Sequence, residues 1–109
     1  MYIDSEVISL SINFPLELKT GFFRQEQCMV RIDHHHSQIF FDFQEKSDIY
    51  VVEFEHLKRI VYSPGTKHEI EFQTSHNAYV GYVSKDEIQR GIIEILKVEF
   101  GDRFKEIHI

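Results

Sequence analysis

Three consecutive histidines, His34-His35-His36, are the first residues whose type invites chemistry, in a chain that has seven histidines in all. Imidazole binds metals readily and titrates near neutrality. On a strand His34 and His36 would point one way and His35 the other. A zinc site needs three or four ligands with more widely spaced partners, and spacing ties neither His56 nor His68 to the cluster. The run therefore reads as a polar turn, with no metal and no cofactor assigned. Paired acids come next: Glu53 with Glu55, and Glu69 with Glu71, share strand faces. Glu69 and Glu71 alternate with Ile70 and Phe72, so they belong on the solvated side of their strand. The chain has no Gly-rich phosphate loop and no Gly-x-Ser-x-Gly elbow. Cys28 is the one cysteine and sits in the strand-like run Gln27 to Ile32, where a lone thiol acts as a small core hydrophobe. The expectation is a non-catalytic domain.

Charge narrows the partners. With 18 acidic residues against 12 basic ones the chain carries −6, with a pI near 5.6. Nucleic-acid binding replaces counterions on phosphate with Lys and Arg and normally needs a basic domain, so nucleic acid is not expected. The same balance leaves a membrane as a peripheral partner at most. The opening Met1-Tyr2-Ile3-Asp4-Ser5-Glu6 has neither the basic region nor the apolar run of a signal peptide. One cysteine permits no intrachain disulfide, and the expected compartment is the reducing cytoplasm.

The elements that would hold these residues are mostly strands. Ten Phe and five Tyr among 109 residues, with no Trp, suit pleated, half-buried surfaces. Ile8, Leu10 and Ile12 alternate with Ser9 and Ser11 in a strand over Glu6 to Asn13, which Phe14-Pro15 should end. Further strands are expected over Phe22 to Asp33, Gln38 to Phe43, Ile49 to Phe54, Leu57 to Tyr62, His68 to Gln73 and Ala78 to Val83. Pro64-Gly65 at the centre of Ser63 to Thr66 predicts a type II turn, with Gly65 at positive φ. The length suits one domain over residues 1–109, with strands across about 6–83, a helix across about 85–100 and a tail over 101–109.

At Ser84 the period changes. Ser84-Lys85-Asp86-Glu87 is a capping box, Ile88, Ile92, Ile95 and Leu96 follow at helical spacing, and Gly101 is placed to end the helix. Arg90, Glu94 and Lys97 fall on the solvated side. At about 100° per residue the apolar arc from Val98 through Ile88 to Ile93 spans roughly 220°, wider than a helix on one sheet requires. Either loops wrap its flanks, or Ile93 with Phe100 lines a groove for a partner. Gly91 costs the helix on the order of 1 kcal/mol relative to Ala, which close approach to a strand would explain. The tail Phe104 to Ile109 alternates like a strand and needs an edge to pair with.

Seven strands in succession running into one capped helix resemble the pleckstrin-homology (PH-like) superfold. The segment that carries most of the resemblance is HEIEFQTSHNAYVGYVSKDEIQRGIIEIL, His68 to Leu96. The resemblance implies a mainly β (α+β) fold: a seven-stranded antiparallel sandwich or barrel closed by the C-terminal helix. Many members carry a Trp on that helix and this chain has none, which favours phosphotyrosine-binding-type relatives. A polo box, with six strands and a helix, is the second resemblance. Membership of the first group implies a protein-interaction or scaffolding module, part of a larger protein or assembly, that takes a peptide by strand addition. The site would lie along the helix flank and the Leu57 to Tyr62 strand, with Ile93, Lys97, Phe100, Lys58 and Arg59 as its residues. The alternative implied is a lipid-headgroup clamp built from Lys19, Arg24 and Arg31, diluted by Glu17, Glu26 and Asp33. A small enzyme is a more remote alternative. Self-association through the tail or the helix flank is a secondary expectation.

Overall fold

The computed structural model describes residues 11–107, so the expected strand residues Ile8 and Leu10 and the tail end at Ile109 lie outside the described residues. The strands are β1 (Ser11–Gly21), β2 (Arg24–Asp33), β3 (Gln38–Phe43), β4 (Asp48–Glu53), β5 (Leu57–Ser63), β6 (His68–Thr74), β7 (Ala78–Val83) and β8 (Phe104–Glu106). A short 3-10 turn, Phe54–His56, leads into β5. The helices are α1 (Lys85–Gln89) and α2 (Ile92–Phe100), and a second 3-10 turn, Gly101–Arg103, leads into β8.

All eight strands form one sheet in the order β4-β3-β2-β1-β7-β6-β5-β8. The fold is mainly β with a terminal helical segment, as the composition predicts. The finer expectation is corrected in two ways: among the described residues there are eight strands, not seven, and the sheet is not closed into a barrel. The eighth strand is the tail. It pairs parallel to β5, with Ile60 opposite Phe104 and Tyr62 opposite Glu106, and the Ile107 amide extends the ladder by donating to the Tyr62 carbonyl at 2.9 Å. The sheet folds over its own inner face, where Phe41 of β3 meets Phe72 of β6 edge-on at 5.2 Å and stacks on Tyr79 of β7 at 5.0 Å. One cluster of buried residues, from Phe14 to Phe104, fills the interior.

β1 does not stop at Phe14-Pro15. Phe14, Leu16 and Leu18 are buried and Ile12 packs beside them, so the alternation passes straight through Pro15. Proline survives there because β1 pairs with β2 at this position (Pro15 opposite Met29) but not with β7. A strand bonded on one side has a free side for the missing N–H. Beyond it, β1 and β7 meet only at Glu17 opposite Tyr82 and Leu18 opposite Gly81. Gly81 makes this junction: a Cβ there would lie 2.7 Å from Leu16 Cγ and 2.9 Å from the Glu17 carbonyl oxygen.

Half of the expected capping box is present, Ser84 accepting from the Glu87 amide at 3.2 Å. The Glu87 carboxylate accepts from Arg90 at 3.2 Å. The helix itself is broken. Gly91 takes φ +95° as the N-cap of α2, and no atom lies within 4 Å of where its Cβ would be. Close approach to a strand is therefore not its role; the left-handed turn is. Gly101 ends α2 at φ +52°. The expected type II turn is absent as well, since Gly65 is not among the glycines at positive φ. A longer connection, residues 64–67, joins β5 to β6 in its place.

Candidate functional site

The groove expected beside the helix is filled by the chain itself. Ile93 is 6% exposed and Phe100 5%, both within the core. Phe100 packs against Phe54 at 5.5 Å and His34 at 6.1 Å. The edge of β5 expected to receive a peptide is occupied over Ile60 to Tyr62 by β8. Lys97 fastens that arrangement, with Nζ 3.3 Å from Glu106 and 3.7 Å from Glu94, and the Glu106 bond holds its pKa above the ordinary lysine value. Arg103 fastens it again from the other end, donating to the carbonyls of Phe54 at 2.9 Å and Leu57 at 3.2 Å. Lys58 and Arg59 are exposed upstream of β8, at a β-bulge in β5. The apolar side chains that α2 leaves to solvent are Ile95 and Val98.

The three cations of the lipid-headgroup reading do not converge. Lys19 lies over the Tyr82 ring at 5.3 Å, and its hydrogen bond to Tyr82 raises its pKa. Arg24 starts β2 opposite Gly21. Arg31 stacks on Phe40 at 4.2 Å, seven residues further along β2, which is roughly 23 Å at strand rise. Glu26, expected to dilute this field, is bound by Lys46 at 2.5 Å and Thr20, and both lower its pKa.

The histidines are divided among separate tasks. His34 sits edge-on to Phe54 at 5.2 Å with Nε2 2.5 Å from Glu99, while His36 Nδ1 is 2.7 Å from Asp33. His68 Nδ1 is 2.8 Å from the Tyr62 hydroxyl. Among the described residues no three His, Cys, Asp or Glu side chains come together as a metal site. Cys28 is buried, and burial pushes its thiol up to about 12, so it is protonated at neutral pH. A cleft of about 510 Å³ opens where β1 and β7 diverge, lined in part by Pro15, Gln27, Lys67, His68, Tyr82 and Lys85. Lys67 covers the Tyr82 ring there at 4.8 Å.

Two surfaces that sequence reasoning missed stand out. The first is the tip of the β1–β2 hairpin, where Phe22 and Phe23 are 96% and 98% exposed. Beyond Leu18 the hairpin has lost β7, and before Met29 it has not yet gained β3, so it projects as a two-stranded finger. A usable signal existed: after Thr20-Gly21, two adjacent Phe residues cannot both face one side of a strand.

The second is β4. Among the described residues it has one neighbour, β3, and it carries Ile49, Tyr50 and Val51, which are 51%, 41% and 45% exposed. The Phe54 amide donates to the Ser37 carbonyl at 2.9 Å, in register with Glu53 opposite Gln38. Bonded pairs alternate along an antiparallel ladder, so Val52 and Tyr50 bond to β3, while the amides and carbonyls of Ile49, Val51 and Glu53 face outward. Tyr50 packs on Phe43 at 5.0 Å, and Val51 stands opposite Phe40 on the outer face. Glu45 and Asp48 flank one end of the strand and Glu53 and Glu55 the other, all four at the surface or partly so. Natural edges are usually shielded by Lys, Pro, a bulge or a covering loop, and β4 has no Lys or Pro. Nothing in its local sequence distinguishes an edge from a central strand. No protein-family model and no curated protein matches the chain.

Proposed function

We propose that the chain is a non-catalytic, PH-like protein-interaction module of the cytoplasm that takes an extended protein segment on the edge of β4 that faces away from β3. The carrying observation is the row of outward backbone groups at Ile49, Val51 and Glu53 beside half-exposed apolar side chains. Such a row is a template for strand addition, in which the main chain supplies affinity and alternate side chains supply specificity. The PH-like part rests on the element order: seven antiparallel strands run directly into a capped helical segment. The parallel β8 is a departure from the resemblance, and it closes the β5 edge that phosphotyrosine-binding-type relatives use. The lone buried Cys28 supports a reducing compartment. Among the described residues no helix is long and apolar enough to cross a membrane.

Amide hydrogen exchange tests the site. In the free protein the Ile49 and Val51 amides exchange faster than those of Tyr50 and Val52, and a bound partner segment protects them. A partner that binds while these two amides stay fast refutes the site.

A second reading, docking on an anionic lipid surface, is favoured by the finger tip. Burying Phe22 and Phe23 in a lipid interface is worth roughly 3–6 kcal/mol gross, and Lys19 and Arg24 stand at its base. Sedimentation with phosphatidylserine-containing vesicles at low salt tests it. Binding lost in Phe22→Ser/Phe23→Ser supports it, and no binding ends it.

A further inference from the structure

We infer that the strand β4 accepts is a short apolar run with Lys or Arg at both ends, and that it comes from another protein and not from a second copy of this chain. The inference rests on the proposed use of the β4 edge and adds the chemistry of the occupant.

The apolar centre follows from the two faces of β4. An added strand bonds to Ile49, Val51 and Glu53, which sets its own alternate side chains beside Ile49 and Val51 on the outer face. That face continues inward to Phe40, which is capped by the Arg31 guanidinium at 4.2 Å. On the other face the added strand meets Tyr50, which leans on Tyr79 at 5.9 Å. Side chains opposite these residues gain most if they are β-branched or aromatic.

The cationic ends follow from the frame. Asp48 begins the strand and Glu53 ends it, with Glu45 and Glu55 just beyond. The nearby cation Lys46 is engaged by Glu26 at 2.5 Å. Glu53 accepts from the Gln38 side-chain Nε2 at 2.9 Å, which fixes its carboxylate beside the edge without neutralising it. A strand that ends in Lys or Arg therefore meets opposite charge at either end, whichever direction it runs.

The same frame disfavours a symmetric pair of these chains. Two antiparallel copies of β4 can match their outward groups with the two-fold axis at Tyr50 or at Val51. Either register leaves Asp48 of one copy one position from Glu53 of the other, on the opposite face of the sheet, so two carboxylates gather at each end of the pair. Like charge gathered at both ends, within two chains that each carry a net charge of −6, opposes that pairing.

Selection from a displayed library of random octapeptides against the whole chain tests this, followed by fluorescence anisotropy on the enriched peptides. The expected winners carry Lys or Arg on both sides of a β-branched or aromatic centre, and binding weakens as salt rises. Val51→Pro, which removes an outward amide and no bond to β3, abolishes their binding. Asp48→Lys/Glu53→Lys, checked for native circular dichroism, weakens them about tenfold or more, equivalent to about 1.4 kcal/mol. If the winners depend on Val51 but show no charge preference and ignore the charge reversal, the cationic occupant is wrong while the edge stands. If no peptide is enriched, or the winners ignore Val51→Pro, the edge reading fails with it. A concentration-dependent dimer that Val51→Pro dissolves makes the occupant a second copy and overturns the inference.

Discussion

Replacing Gly81 with alanine probes the junction on which the folded-over sheet depends. The new Cβ would sit 2.7 and 2.8 Å from two carbons of Leu16 and 2.9 Å from the Glu17 carbonyl oxygen. Carbon atoms pack comfortably at about 3.5–4.0 Å, so the overlap is roughly 1 Å. Leu16 is 1% exposed and has no room to withdraw. Glu17 is itself paired with Tyr82, and with Leu18 opposite Gly81 this is the whole register between β1 and β7. Relief must come from separating the strands. Overpacking costs about 1–3 kcal/mol, and a loosened backbone bond adds about 1 kcal/mol, for a total of about 2–4 kcal/mol. For a domain with typical stability of about 5–15 kcal/mol, this lowers the melting temperature by roughly 10–20 °C. Urea and thermal unfolding followed by circular dichroism measure it. Gly65→Ala is the control, because its Cβ meets only the Lys67 carbonyl at 3.7 Å, and it should stay within about 0.5 kcal/mol of wild type. Adding Leu16→Ala to Gly81→Ala makes room for the new methyl, so the double variant should cost less than the sum of the two. A Gly81→Ala protein as stable as the Gly65→Ala control refutes the reasoning.

The remaining predictions concern the surroundings. Arg103→Ala leaves the carbonyls of Phe54 and Leu57 without their charged donor and should cost about 2 kcal/mol or more in urea unfolding. Cys28 should resist a thiol reagent at pH 8 until the protein opens, because its thiol is held up to about 12; the labelling rate should rise in step with added urea. Lys46 and Thr20 lower the Glu26 pKa from 4.5, so this pairing stabilises the fold above that value and is lost as pH falls through the lowered one. Glu26→Gln should therefore flatten the acid limb of the stability profile below about pH 4.5, as measured by urea midpoints across pH. Phe22→Ser/Phe23→Ser should leave the unfolding midpoint within about 0.5 kcal/mol of wild type, since neither ring is buried.

Local pattern alone made much of the fold legible. The alternation around Ile39, Phe41 and Phe43, and around Ile70 and Phe72, marks strands whose inward residues are buried in the structure, because a two-residue period has one core face. Ser84 with Glu87 marks the helix start for a similarly local reason: the orphan amide and its acceptor are three residues apart. Pro15 shows where local reading fails. A proline reads as a terminator, yet here it is silent because one side of β1 has no partner at that point. Gly91 and Gly81 exchange roles for the same reason. Gly91, at the break in the helix, needs a backbone angle and has no close neighbour, whereas Gly81, in a strand, is where two strands nearly touch.

The candidate site depended on tertiary structure throughout. Local pattern and composition were enough to show a chain made mainly of strands and followed by a helical segment from Ser84, rich in aromatics and net acidic. They also showed that the tail from Phe104 wanted a partner. Only the folded arrangement decided that the tail pairs with β5 and that Ile93 and Phe100 belong to the core, where the wide apolar arc suggested a groove. Only the strand order decided that Ile49-Tyr50-Val51, whose composition is that of a buried strand, lies in the strand that ends the sheet among the described residues. The physical reason is that periodicity and capping act within a few residues, whereas whether a strand is central or terminal depends on which distant segment fills the next place in the sheet.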